Sequence, residues 1–307
     1  MTYSVSSLQN YLACPAKFYY ASVKKLQAET EVAESMDAGM VGSVFHDTIY
    51  ALYTGGEALA PDFDMDRANV EANVSAPLKE ISADYIRHLL SSGNELIRPK
   101  VRALICRQLK SDEVSGRNLV LEDVINQYVV RTLEKDLELL KSKGRDRFRI
   151  LGLEMERHWR FEGYKFIGYI DRMDSIDPGV VRIVDYKTGR VEDEDIGIDA
   201  SNAAEVAEAL FAPDVKDRPS KALQLYLYDR YVENDVKEFA VENVIYPVPQ
   251  LFSSEIMTSK ECAEFNAEVT GRLKGLFEQL SDPGTGFRRT GDTSICSYCD
   301  FRKICGR

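Results

Sequence analysis

FRILGLEMERHWRFEGYKFIGYIDRMDSIDPGVVRIVDYKTG, residues 148–189, is the stretch on which the fold turns. Apolar and polar side chains alternate through it with the period of a strand, whereas the residues before Phe148 follow the spacing of a helix. The pattern predicts strands over 149–161, 164–176 and 180–187. Glu162-Gly163 supplies a two-residue hairpin turn and Asp177-Pro178-Gly179 a three-residue one. Pairing Phe161 with Tyr164 across the first turn carries Glu154 opposite Asp171. Centring the second turn on Pro178 carries Asp171 opposite Asp185. Three carboxylates then lie side by side on one sheet face, and Lys187, two residues beyond Asp185, shares that face. A bulge in either hairpin would shift the register by one residue.

Like charges directly opposite on neighbouring strands repel, so such a row needs a compensating cation. A hard divalent ion with oxygen ligands, Mg²⁺ or Mn²⁺, suits it, and the Lys187 ammonium supplies a second positive centre. Together they would serve phosphodiester hydrolysis, the metal polarising a phosphoryl oxygen and the lysine stabilising developing charge or orienting water. Taken singly, Asp171 and Asp185 read as surface acids paired with Arg172 and Arg182. Glu154, Asp171, Asp185 and Lys187 together are harder to dismiss.

Upstream, YSVSSLQNYLACPAKFYY reads as a short helix, with Ser6 and Gln9 at capping-box spacing, Leu8, Tyr11 and Leu12 as its apolar stripe and Pro15 as its interruption. A second helix is expected from about Ala38 to Tyr53, with Gly39 and Gly42 as points of close packing. Residues 65–145 are helical in pattern and carry no chemical motif, so 55–145 reads as a helical insertion or subdomain. Downstream, an acidic loop with a short helix follows Gly189. A helix over 220–233, a strand over 241–247, a long helix over 258–281 and an irregular tail complete the chain.

The composition, 44% hydrophobic and 29% charged over 307 residues, is that of an ordinary globular chain, read here as a single domain. No apolar run approaches the ~20 residues of a membrane span, and the N-terminus is no secretory signal, so a soluble, cytoplasmic protein is expected. A net charge of −11 argues at first against a nucleic-acid partner. However, residues 191–219 hold nine acids against Lys216 and Arg218, while the last 21 residues hold five basic side chains against Asp292 and Asp300. Global charge therefore decides little.

The same residues resemble the RecB-like branch of the PD-(D/E)xK nucleases. That family's pattern is an upstream His on a helix, a Glu, G-x-x-D-R-x-D, D-Y-K-T-G and a Q-x-x-x-Y helix. Here they stand as His46 in GSVFHDTIY, Glu154 in LGLEMERHW, Gly168–Asp174 in GYIDRMD, Asp185–Gly189 in DYKTG, and Gln224 and Tyr228 in LQLYLYD. The resemblance implies an α/β (α+β) fold with a restriction-endonuclease-like core: a central mixed β-sheet flanked by helices, plus the helical insertion. It also implies metal ligands at His46, Asp171, Asp185 and the Tyr186 carbonyl, and a catalytic lysine at Lys187. Gln224 and Tyr228, one helical turn apart, would line the substrate side. Alone, His46, Gln224 and Tyr228 read more naturally as packing residues; the family order is what singles them out.

Cys296-x2-Cys299-x5-Cys305, in the tail 287–307, is three-quarters of a metal site, and Cys14 is the candidate fourth ligand. Helicase-nucleases of the AddB type, and some nucleases of CRISPR adaptation, are similar in having one early and three late cysteines that bind a [4Fe–4S] cluster. Such a cluster would staple the termini together and hold Lys17, Arg302 and Lys303 where they could meet DNA. Four thiolates also suit Zn²⁺; the resemblance favours iron and sulfur. Cys106 and Cys262 read as core residues.

The leading expectation is a DNA exonuclease of recombination and repair, acting on single-stranded ends as, or like, the nuclease domain of a helicase-nuclease. No G-x-x-x-x-G-K-[ST] loop appears, so a helicase partner would be a separate subunit or domain. The alternatives are a catalytically silent DNA-binding iron–sulfur module and a single-strand exonuclease of the CRISPR-adaptation kind.

Overall fold

The computed structural model describes residues 1–27, 35–54, 79–213, 215, 218–260, 262–282 and 284–307. Its frame is a mixed sheet of seven strands: β1 Thr2–Tyr3, β2 Lys79–Ser82, β3 Arg147–Phe161, β4 Tyr164–Ser175, β5 Val180–Lys187, β6 Ala240–Pro247 and β7 Met257–Lys260. The order runs β2-β3-β4-β5-β6-β7, with β1 paired parallel to β4 beside this path. β3, β4 and β5 form the antiparallel meander that the sequence pattern predicts. The turn between β3 and β4 has positive φ at both Glu162 and Gly163, the signature of a two-residue turn whose twist matches its strands. β6 returns parallel to β5 after a crossover through the helix Ser220–Val232. The architecture is thus the expected mixed α/β sheet flanked by helices.

Each face of the sheet is closed by its own apolar cluster. On one face the helices Val5–Ala13, Ala203–Phe211, Ser220–Val232 and Ala263–Ser281 meet side chains such as Met155, Phe166, Ile170 and Ile183. On the other the helices Ala38–Thr54, Ala83–Ser91, Arg98–Leu109 and Arg117–Ser142 cover Phe148, Ile150, Leu153, Val184 and Tyr186. Burying apolar surface on both faces explains why β5 reads as a nearly continuous apolar run, Val180 to Val184, broken only at Arg182.

Several local expectations need correction. The first helix is capped by Ser4, in a reciprocal box with Ser7, because the chain leaves β1 extended at Ser4. Residues 258–281 are not one helix: Met257–Lys260 is the edge strand β7, antiparallel to β6, and the helix begins at Ala263. The segment 79–145 is not purely helical, since β2 joins the central sheet through β3; residues 55–78 of the expected insertion lie outside the described residues. After Gly189 come a short 3₁₀ turn at Asp193–Asp195 and the helix Ala203–Phe211, whose Ala203, Ala207 and Leu210 are buried in the core. Asp214, Lys216 and Asp217 lie outside the described residues. Cys106 and Cys262 are only half-buried, and Cys262 sits just ahead of its helix. Gly42 does mark a close approach, since a Cβ there would stand 3.1 Å from the Thr188 hydroxyl.

Candidate metal centre

The acidic row forms where the sheet changes face. Leu153 belongs to one apolar cluster and Met155 to the other, although strict alternation would point both the same way. Between them Glu154 has φ +46°, a left-handed backbone that costs a non-glycine residue roughly 1 kcal/mol or more. On β4 the same switch falls between Ile170 and Arg172, whose guanidinium lies over the Phe148 ring of the opposite cluster. The register across β3 and β4 is the one predicted at this point, Leu153 opposite Arg172 and Met155 opposite Ile170. A bulge does occur in β3, between Ile150 and Gly152, but upstream of the row. β4 and β5 stay in register up to Arg172 opposite Val184 and then separate. In the gap the Asp171 carboxylate accepts the backbone N–H of Tyr186 at 2.8 Å.

His46 reaches this gap from the helix Ala38–Thr54. Its Nδ1 lies 3.5 Å from the Glu154 carboxylate and 3.6 Å from that of Asp171. Among the described residues, His46, Glu154 and Asp171 are the one group of three such donors whose ligating atoms all lie within 4.8 Å of one another. Asp185 borders the same pocket without joining that trio. Its carboxylate is held by Lys187 at 2.6 Å, by the Gln224 amide at 2.8 Å and by the Tyr228 hydroxyl at 2.8 Å. Gln224 also accepts from the Lys187 ammonium at 2.8 Å, so its amide spans the acid and the base. Ser4, Val5 and Ser6, at the start of the first helix, line the pocket as well, a contribution for which the sequence carried no signal.

Gly168 opens the GYIDRMD segment for a packing reason. A Cβ there would fall 2.3 Å from the ring of Tyr231, whose hydroxyl donates to the Ile167 carbonyl at 2.9 Å. The glycine therefore lets the Gln224–Tyr228 helix lie directly on β4, beside the acids.

The electrostatics are those of a site short of positive charge. Burial pushes the Asp171 carboxyl up to about 7, with Asp185 and Glu154 adding to the rise and His46 opposing it. Burial disfavours a charged His46, yet the Asp171 and Glu154 carboxylates outweigh it and raise the imidazole to about 9. Burial, then Glu154, raises Asp47 to about 6. One imidazole nitrogen and carboxylate oxygens on a common centre fit a hard or borderline divalent ion of the Mg²⁺ or Mn²⁺ kind.

This geometry sets a proton balance. A metal binds neutral imidazole and ionised carboxylate, whereas the free site holds protons on His46 below about 9 and on Asp171 below about 7. Binding Mn²⁺ at pH 7 should release at least one proton, and affinity should climb with pH between 6 and 9. Calorimetric titration in buffers of different ionisation enthalpy reads that number directly; no proton release would remove His46 from the ligand set.

The described cysteines of the tail sit apart from this pocket. Cys14, Cys296, Cys299 and Cys305 line a second small cavity together with Lys17, Arg289 and Arg302. The tail is clipped to the N-terminal segment by the Ala16 N–H on the Arg288 carbonyl, 3.0 Å, and by the Thr290 N–H on Cys14 Sγ, 3.4 Å.

The profile of the PD-(D/E)XK nuclease superfamily matches residues 2–306. The chain belongs to the PD-(D/E)XK nuclease superfamily. Its members use divalent metals, and membership points to phosphodiester hydrolysis as the chemistry of the acidic pocket. No curated protein matches the chain. No helix among the described residues is long and apolar enough to cross a membrane.

Proposed function

We propose that this protein is a Mg²⁺- or Mn²⁺-dependent deoxyribonuclease, an exonuclease acting on DNA ends in recombination or repair, as or like the nuclease domain of a helicase-nuclease. The observation that carries the reading is the convergence of His46, Asp171, Asp185 and Lys187 on one pocket, with the Glu154 carboxylate 3.5 Å from the His46 imidazole. His46, Asp171, Asp185 and the Tyr186 carbonyl would hold the ion, with Glu154 close enough to join them. When bound, the ion supplies Lewis-acid polarisation of a phosphoryl oxygen and acidifies water. The Lys187 ammonium, fixed by Asp185 and Gln224, is placed to stabilise negative charge developing on the phosphate. Tyr228 keeps its proton, burial and the neighbouring Asp185 raising its hydroxyl well above the usual tyrosine value, and so acts as a donor that orients Asp185. Cleavage of end-labelled DNA, dependent on Mg²⁺ or Mn²⁺ and lost in Asp185→Ala and Lys187→Ala, is the test; unchanged activity in both would remove the mechanism.

The cysteine cavity belongs to the same proposal as the site of a [4Fe–4S] cluster held by Cys14, Cys296, Cys299 and Cys305. Zn²⁺, which four thiolates also suit, is the alternative occupant. Donors point at two of the sulfurs, the Thr290 N–H to Cys14 and the Arg307 guanidinium to Cys296, contacts of the kind that tune the potential of a bound cluster. An anaerobic preparation should be brown with absorbance near ~400 nm, lost in Cys299→Ser; a colourless protein with stoichiometric zinc would overturn the assignment.

A further inference from the structure

Next to the acidic pocket, on the sheet face covered by the His46 helix, lies a buried set of charges that the hydrolytic chemistry does not use. Arg172 is fully buried and donates to both oxygens of Asp136, at 2.8 and 3.1 Å, and to Asp174. Arg182 grips Asp174 a second time, at 2.7 and 2.8 Å. Two guanidiniums face two carboxylates, so the set is neutral and each charge is paired. Three tyrosine hydroxyls complete it: Tyr246 donates to Asp136 at 2.6 Å, Tyr53 donates to Asp136, and Tyr186 accepts from Arg172 at 3.0 Å.

The members are carried by the elements that carry the site. Tyr53 is on the His46 helix, two turns on and therefore on the same face. Arg172 follows Asp171, and Tyr186 lies between Asp185 and Lys187. Tyr186 is the hub: its N–H is bound by Asp171, its ring packs edge-on against His46 with centroids 5.9 Å apart, and its hydroxyl ends in the charged set. Asp136, from the Arg117–Ser142 helix, ties helix and sheet together from below.

We propose that Tyr186, Tyr53, Asp136 and Arg172 are positioning residues, a rigid underside that fixes the separation of His46 from Asp171 and Asp185 and so sets metal affinity. The inference rests on the metal-centre reading above. A set in which every charge has one geometry resists the rotation of β4 and β5 apart that repulsion between Asp171 and Asp185 would otherwise drive. Tyr186→Phe and Tyr53→Phe each delete a single hydroxyl and leave the ring packing in place.

The experiment is a Mn²⁺ titration of each purified full-length variant, free Mn²⁺ being followed by electron paramagnetic resonance at a temperature where circular dichroism shows a folded protein. The expected result is a dissociation constant raised about 10-fold or more by either variant, the range seen when outer partners of metal ligands are lost. Tyr226→Phe, which deletes a hydroxyl bonded to Thr270 at 2.8 Å on the opposite face, should leave it unchanged. Wild-type affinity in folded Tyr186→Phe and Tyr53→Phe would overturn the positioning role, because a merely structural contact lowers the unfolding midpoint without moving the affinity of the folded protein. Absence of Mn²⁺ binding by the wild-type protein would instead overturn the metal-centre reading itself.

Discussion

Lys187→Ala should lower kcat for DNA cleavage by about 10²–10³-fold, the usual loss when one preorganised electrostatic donor is removed from developing charge, while leaving Mn²⁺ affinity intact or tighter. The separation of the two effects follows from the geometry. The ammonium is held by Asp185 at 2.6 Å and by Gln224 at 2.8 Å, so it is oriented before any substrate arrives. It is also a like charge beside any bound cation, and its removal relieves repulsion. Asp185→Ala should behave differently, losing both cleavage and Mn²⁺ affinity, since it removes a carboxylate and frees the lysine together. Lys187→Arg should not restore the rate, because a planar guanidinium cannot occupy the point position of an ammonium between an acid and an amide. Single-turnover cleavage of a labelled strand at saturating Mn²⁺, with metal titration of the same samples, distinguishes the arms. Equal kcat in Lys187→Ala and wild type would take the lysine out of the chemistry.

How far this arrangement could be read from the chain depends on where the information lies. The β3–β4 and β4–β5 hairpins were legible because both the turn and the alternation are local, and a positive-φ pair such as Glu162-Gly163 fixes the register by itself. Local pattern alone therefore brings Glu154 level with Asp171, whereas β4 and β5 separate just before Asp171 would pair with Asp185. It does not reveal the face change at Glu154. That change places Leu153 and Met155 on opposite sides, and the left-handed backbone of Glu154, downstream of the β3 bulge, records it. Pairing between distant segments was equally silent. The parallel partnerships of β5 with β6 and β1 with β4, and the addition of β2 and β7 at the edges, join residues with no turn between them. The four-residue strands β2 and β7 are too short to show a period, so KEIS and MTSK were absorbed into the helices that follow them.

The site divides in the same way. His46, Gln224 and Tyr228 entered through family resemblance alone, and they border one pocket with Asp171 and Asp185. The charged underside has no motif of its own, although three of its four charges stand in plain view. Arg172, Asp174 and Arg182 occupy positions of a meander that alternation assigns to a buried face, and a charge there requires a partner. Asp136 gave no comparable signal, because one acid among many on a long, strongly charged helix reads as solvated surface.

Arg172→Met should destabilise the protein by about 3–5 kcal/mol, a large part of the 5–15 kcal/mol that holds a typical domain together. Surface arginines such as Arg87 or Arg147, paired with exposed acids, should cost far less. The difference lies in what remains behind. Removing Arg172 leaves Asp174 with Arg182 but leaves Asp136 with only the hydroxyls of Tyr53 and Tyr246, a carboxylate buried to within 1% of full burial and without a cation. Removing Asp136 as well, in Arg172→Met/Asp136→Leu, should restore most of the loss, because no charge is then orphaned. The pair should therefore be strongly non-additive in a double-mutant cycle. The pH dependence has a definite sign. Burial would raise the Asp174 carboxyl, but Arg172 and Arg182 hold it below the ordinary carboxylate value. Its contribution is therefore present above the unfolded carboxylate range and is lost as pH falls through the folded value. Without Arg172 that folded value rises, so Arg172→Met should meet its acid transition at higher pH than wild type. Urea unfolding of Arg172→Met, Asp136→Leu, the double variant and the wild type at pH 7, repeated in steps down to pH 4, measures all three quantities. Additive losses in the double variant would mean that these charges are not stabilised as a unit.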